Sequence, residues 1–127
     1  MNPIQLFELA SSQAKWLSVR QSVVAGNIAN ANTPGYVAKE VEPFETVLAA
    51  QGNNRMAATH PGHIREGDIR NSVRNTEVRD GVAISPSGNS VGLAEELIKS
   101  GEVKRNFEMN AGLVRSFHRM MLLTVRK

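Results

Sequence analysis

A firm helix stop lies early in the chain. Residues 27–36 read Asn-Ile-Ala-Asn-Ala-Asn-Thr-Pro-Gly-Tyr. Asparagine adopts turn conformations readily, Pro34 disfavours the helical conformation at Thr33, and Gly35 permits a sharp change of direction. A helix that enters this segment must therefore end within it, and the chain must leave in a new direction.

The segment before this stop is predicted to be one long helix from Pro3 to about Ala31. Asn2 is a good N-cap, and Pro3 suits the first helical position because its missing N–H would be unpaired there anyway. Positions that alternate in steps of three and four form a coiled-coil-like seam: Phe7, Ala10, Ala14, Leu17, Gln21, Val24, Ile28 and Ala31. A helix of about 40 Å has no compact core of its own, so it needs a partner helix.

A second long helix is predicted at the other end of the chain. It begins between Ser90 and Ala94 and continues to about Arg126, with glutamates in its first turn and basic residues in its last turn, as the helix dipole favours. Two adjacent stripes, apolar apart from one histidine, run along it: Phe107, Ala111, Val114, His118, Met121 and Val125 in one, and Leu113, Phe117 and Met120 in the other. This arc is wider than one partner helix covers, which indicates several neighbours in an assembly. Packing on the first helix alone would explain part of it.

The middle of the chain is poor in apolar residues and rich in Pro, Gly, Asn and Ser. It can hardly offset the entropy of ordering without a neighbour. Short elements are predicted at 44–50, as one or two helical turns, and at 78–84, as a hairpin around Asp80-Gly81. The predicted fold is mainly α, with long terminal helices packed as a coiled-coil-like pair or bundle and an irregular middle that contains short β segments. Its regions are 1–36, 37–91 and 92–127.

The residues that could carry catalysis or hold a ligand are sparse. The chain has 127 residues and no cysteine, which excludes disulfides and thiolate chemistry. His60-Pro61-Gly62-His63 supplies only two metal ligands, so a loop turn is the better interpretation. Neither a phosphate-binding loop nor a nucleophile elbow occurs. The expectation is a non-enzymatic protein without cofactor, metal or small-molecule substrate.

Charge and hydropathy restrict the remaining function classes. No run approaches the ~18 apolar residues of a membrane span, and the N-terminus lacks the pattern of a cleavable signal peptide. The formal charge is +3, and residues 99–127 carry seven basic side chains against two acidic ones. A basic helix can bind nucleic acid, an anionic membrane or an acidic partner. A solvated or interfacial helix face is favoured, because no aromatic stacking platform accompanies these residues.

The helix stop also carries a family resemblance. With Ala25, it is similar to the pattern Ala-x-Asn-Ile-Ala-Asn-x-Asn-Thr-Pro-Gly-Tyr of bacterial flagellar axial proteins, which form the rod, hook and hook junctions. The matching motif residues are Asn27, Ile28, Ala29, Asn30, Asn32, Thr33, Pro34, Gly35 and Tyr36. The short chain, with segments 59–64 and 88–96, looks like the proximal members of the rod family. Gly92, where these members have Asp, and the tail 120–127 depart from the family pattern.

The resemblance implies a structural subunit of the flagellar basal-body rod. Such a subunit would be exported unfolded by the flagellar type III apparatus, without a cleavable signal, from the cytoplasm to the periplasmic side of the inner membrane. It would polymerise with copies of itself, with other rod proteins and with the base, and motility would require it. Phe44 and Leu48 resemble an export-signal motif. The alternatives are a rod subunit of adjacent position or a nucleic-acid-binding protein with a basic helix.

Assembly of this kind would place the helix seams between neighbouring subunits. The residues predicted to pack there are Phe7, Ala10, Ala14, Leu17, Val24, Ile28, Phe107, Val114, Phe117 and Met121.

Overall fold

The computed structural model describes residues 3–53, 75–77 and 86–125. Its elements are helix α1 (Pro3–Ala29), strand β1 (Lys39–Val41), helix α2 (Phe44–Asn53), strand β2 (Asn75–Glu77) and helix α3 (Leu93–Val125). The prediction of a mainly α chain with long helices at both ends is confirmed. The predicted hairpin at 78–84 and the two histidines at 60 and 63 lie outside the described residues.

The two long helices lie side by side in opposite directions. Near the start of α1, the Phe7 ring meets Phe117 edge to face, with ring centroids 5.7 Å apart. Further along α1, Gln21 Nε2 donates a hydrogen bond to Ser100 Oγ at 3.2 Å. Because α3 is the longer helix, its last turns extend past Phe117 beyond the contact with α1. The terminal segments therefore form an antiparallel pair with one overhanging end.

A small apolar core forms where α1 passes β1, α2 and α3. Its buried members are Trp16, Leu17, Val41, Val47 and Val103. Trp16 packs against Phe44 at 5.8 Å between ring centroids, and its indole Nε1 donates to the Glu42 carbonyl at 2.9 Å. Full burial of a leucine such as Leu17 contributes about 2 kcal/mol, so five buried side chains make a modest core.

Hydrogen bonds from Asn30 and Ala31 end helix α1. The Asn30 side chain donates to the Gly26 carbonyl at 2.8 Å, and the Asn30 amide lies 3.1 Å from the same oxygen. The Ala31 amide then bonds to the Ile28 carbonyl, which tightens the last turn in the 3₁₀ manner. The helix therefore closes at Ala29, two residues before the predicted end.

The middle region contributes one short sheet and one helix. Strands β1 and β2 pair antiparallel, with Glu40 opposite Thr76. Helix α2 begins at Phe44, as predicted, and runs three residues beyond the predicted end at Ala50. Among the helices of the described residues, none has an apolar stretch of the length that a membrane span requires.

Replacing Gly101 or Gly112 of α3 with alanine is expected to increase the stability of the protein. A Cβ atom added at Gly101 or Gly112 would meet nothing within 4 Å. Because alanine restricts the unfolded chain, each Gly→Ala change should raise the free energy of unfolding by about 0.5–1 kcal/mol. Urea denaturation measures this. As a matched control, Gly35→Ala should lower it by about 1 kcal/mol, because Gly35 has a φ of +71°. Equal shifts at the three sites would contradict the prediction.

Candidate assembly site

Asn27, the first residue of the sequence motif, is fully buried at 0% exposure. Its Nδ2 donates to the Lys39 carbonyl at 2.7 Å and to Glu96 Oε2 at 3.0 Å. Its Oδ1 accepts from the Lys39 amide at 3.0 Å and from the Tyr36 hydroxyl at 3.3 Å. Both donors and both acceptor positions of the amide are therefore used, and one side chain joins α1 to β1 and α3.

Glu96 brings a buried carboxylate to this cluster. It is 2% exposed, and its Oε1 accepts from Lys99 Nζ at 3.0 Å while Oε2 accepts from Asn27. Lys99 also lies 3.7 Å from the Glu40 carboxylate. A carboxylate can be buried at acceptable cost only when donors replace its water. Among the described residues, no buried side-chain nitrogen or oxygen lacks a hydrogen-bond partner.

Asn89, which lies just before α3, forms hydrogen bonds with the turn that follows α1. Its Nδ2 donates to the carbonyls of Asn30 at 2.9 Å and Thr33 at 2.8 Å. Its Oδ1 accepts from the Val91 amide at 2.8 Å, just before α3 begins. Carbonyl groups at a helix end need partners from elsewhere. Asn89 supplies them and thereby fastens the entry of α3 to the exit of α1.

Two glycine turns meet beside this contact. Gly35 and Gly88 both have positive φ, at +71° and +78°. The Gly35 amide donates to the Ser87 carbonyl at 3.0 Å, and the Ser90 amide donates to the Tyr36 carbonyl at 3.1 Å. A Cβ on Gly88 would lie 3.6 Å from the Gly35 Cα. The left-handed backbone favours glycine at both positions, whereas the space beside each would accept a Cβ at ordinary van der Waals distance.

We call this network the motif cluster: Asn27, Asn30, Thr33, Tyr36, Asn89 and Glu96. Four motif residues contribute hydrogen-bonding side chains to it, whereas Asn32 and Pro34 are exposed. Ile28 is half-buried, and Ala29 is exposed on α1. The polar side chains of the motif therefore bond mainly to other residues of the same chain. The motif cluster fixes the end of α1 against the start of α3.

Half of the predicted packing residues line a groove between α1 and α3. The groove has a volume of about 540 Å³. Its lining residues are Phe7, Ala10, Ser11, Ala14, Phe107, Asn110, Ala111, Val114 and Arg115. The small side chains of Ala10 and Ala14 leave this space, and Asn110 Nδ2 bridges it by donating to the Ala10 carbonyl at 2.8 Å.

The other predicted residues divide between the core and the surface. Leu17 and Val24 are buried, Ile28 is half-buried, and Phe117 packs against Phe7. Met121, which is 37% exposed, and the groove residue Phe107, which is 51% exposed, are not covered by the chain itself. Their packing in an assembly stays a prediction. Of the candidate export residues, Phe44 is half-buried against Trp16 and Leu48 is 40% exposed.

Sequence reasoning missed several residues that hold the pair together. Trp16 stands beside the predicted seam and faces Phe44, so a search for one helix stripe passed over it. Val103 lies before the apolar stripes that were identified in α3. Asn89 lies in the segment 88–96 that resembles the rod family, and this resemblance was the only signal of its role. Nothing local indicated that Asn110 bonds to Ala10.

Comparison with known proteins gives consistent results. A family model described as "Flagella basal body rod protein" matches residues 9–36, which cover most of α1 and the whole motif. The flagellar basal body rod protein FlgB of Agrobacterium fabrum is 57% identical over 130 residues, covering 100% of this chain and 97% of that protein. FlgB of Cereibacter sphaeroides is 29% identical over 96 residues, which are 75% of this chain and 73% of that protein.

Proposed function

Because this chain belongs to the FlgB family of flagellar basal body rod proteins, we propose that it polymerises through its terminal helices in the proximal rod. Its partners are copies of itself, other rod proteins and the base of the basal body. It reaches the periplasmic side of the inner membrane by export through the flagellar type III apparatus, and motility requires it. The role is structural rather than enzymatic.

The exposed apolar end of α3 carries this proposal. Past Phe117, α3 exposes Met120, Met121, Leu122, Leu123 and Val125. A contiguous apolar surface of this kind is typical of a protein–protein contact site, because water contact with it is unfavourable. Helices of neighbouring subunits would cover it in a rod.

The motif cluster supports the same role. Through Asn27 and Asn89, it fixes the exit of α1 against the entry of α3. A subunit whose two terminal helices are joined in this way offers its neighbours one defined surface rather than two independent helices. Buried, fully bonded polar groups favour a single arrangement over alternatives.

The small core supports export as an unfolded chain. Only a few side chains are buried between α1, α2 and α3 in the described residues, so opening the fold costs little compared with a large domain. The candidate export residue Phe44 packs against Trp16. An export apparatus that reads Phe44 and Leu48 would therefore read them in the unfolded chain, before α2 joins the core.

A gene deletion with a tagged complementing copy tests the proposed function. We expect the deletion to abolish swimming in soft agar, the tagged copy to restore it, and immunoblots to detect the protein in purified basal bodies. In a strain without the export apparatus, the protein should remain in the cytoplasm. Normal swimming in the deletion strain, or recovery of the protein only with cytoplasmic nucleic acid, would overturn the proposal.

A further inference from the structure

Burial is uneven along the pair formed by α1 and α3. We call residues 16–29 of α1 and 93–103 of α3 the inner half, and its buried side chains are Trp16, Leu17, Val24, Asn27, Glu96 and Val103. We call residues 4–15 of α1 and 104–125 of α3 the outer half. Among its described side chains, Asn110 alone is buried, at 7% exposure. The buried group of the outer half is therefore a polar amide.

The contacts across the outer half leave space between the two helices. Every residue that lines the groove of about 540 Å³ belongs to this half. Asn110 Nδ2 crosses the groove to the Ala10 carbonyl at 2.8 Å, and the Phe7 ring meets Phe117 near the start of α1. The ion pair of Arg20 with Glu102 lies in or beside the inner half instead. Because dispersion attraction is lost across a gap, the outer half is held less firmly than the inner half.

Asn110 fixes the arrangement of the outer half without making it strong. A buried amide gives up hydrogen bonds to water, so it stabilises a contact less than an apolar side chain of similar size. The Ala10 carbonyl lies inside α1, where the helix already supplies it with a partner. A single asparagine in a contact between two helices lowers stability but selects one register. The bond between Asn110 and Ala10 therefore acts as a weak latch.

We propose that the outer half opens and closes while the inner half stays packed, with the hydrogen bond between Asn110 and Ala10 as the latch. Segments with few buried apolar contacts open at a low free-energy cost. Leu17, Val103 and the motif cluster keep the inner half together. On opening, the Phe7 and Phe117 rings separate, and water reaches the apolar lining of the groove. The opening is a property of the single chain and does not depend on the proposed rod function.

Amide hydrogen exchange of the purified full chain tests whether the two halves open separately. Val24→Ala weakens the inner half, because it removes buried apolar volume. The amides of residues 17–28 should then exchange roughly tenfold faster. Exchange at residues 7–14 should stay the same, because the inner half is intact in both the closed and the open state. Equal acceleration of both sets would show one cooperative unit and overturn the proposal.

Asn110→Leu tests the latch. The groove beside Asn110 has room for the leucine methyl groups, and the Ala10 carbonyl keeps its helical hydrogen bond. The closed state should gain from the added apolar contact, so exchange at residues 7–14 should slow roughly tenfold. Ser116→Leu is the matched control, because it places the same side chain at an exposed position of α3. It should leave exchange at residues 7–14 unchanged.

The same pair of variants separates opening of the helix pair from fraying of α1. Helix ends fray by themselves, but fraying of α1 alone would not respond to residue 110 of α3. Unchanged exchange at residues 7–14 in Asn110→Leu, or equal slowing in Ser116→Leu, would overturn the latch. Global unfolding of the Asn110→Leu variant would also contradict it, since the amide would then support the whole fold rather than the outer half.

Discussion

Replacing Asn27 with leucine is expected to lower the free energy of unfolding by about 3–4 kcal/mol. The change keeps the side-chain size but removes all four hydrogen bonds of the amide. It leaves the buried Glu96 carboxylate with Lys99 as its remaining side-chain donor, and it leaves the Lys39 amide and carbonyl without their partner. Such a loss is a large share of the stability of a small domain, so the variant should be largely unfolded at physiological temperature.

Urea denaturation followed by Trp16 fluorescence measures the effect of Asn27→Leu. Trp16 is the only tryptophan, and it lies in the core, so its emission reports the packing of α1. Asn32→Leu is the matched control, because Asn32 belongs to the same motif but is exposed. We expect the control to change stability by less than about 0.5 kcal/mol. Equal destabilisation by both variants would contradict the central role given to Asn27.

The second large effect is expected from Leu17→Asp. Leu17 is 1% exposed in the core between α1, α2 and α3. An aspartate there would place an unpaired carboxylate among apolar side chains, at a cost of about 4 kcal/mol or more. The purified variant should show no cooperative unfolding transition, and the protein should be missing from basal bodies because it does not fold.

The Leu113→Asp variant tests whether assembly can be lost while the isolated chain still folds. Leu113 is 61% exposed on α3, so its replacement should leave the urea midpoint of the isolated chain nearly unchanged. The exposed apolar surface of α3 would nevertheless carry a charge, and recovery of the protein in basal bodies should fall steeply. A folded Leu17→Asp variant, or normal incorporation of Leu113→Asp, would show that core and assembly surface have been assigned to the wrong residues.

Local signals in the sequence predicted the helices well. Pro3 and the segment 27–36 bound α1 because proline, glycine and asparagine restrict the backbone wherever they stand. The start of α3 at Leu93 falls within the predicted interval, and α2 starts at Phe44. These boundaries depend on neighbouring residues alone. The stripe of Leu17 and Val24 was likewise visible, because helical periodicity is a property of the local chain.

The sequence alone did not predict which face of α1 packs against which face of α3. The seams on α1 and α3 are each compatible with several registers and with a partner from another subunit, and the apolar pattern alone does not separate these arrangements. Only the antiparallel pairing places Asn27 against Glu96, 69 residues away, and Asn110 against Ala10, 100 residues away. It also decides that Leu17 belongs to the core while Leu113 faces outward. The sequence by itself determined where the helices begin and, within two or three residues, where α1 and α2 end, because that depends on local backbone preferences. The tertiary structure decided which faces are covered, because burial depends on residues far apart in the chain.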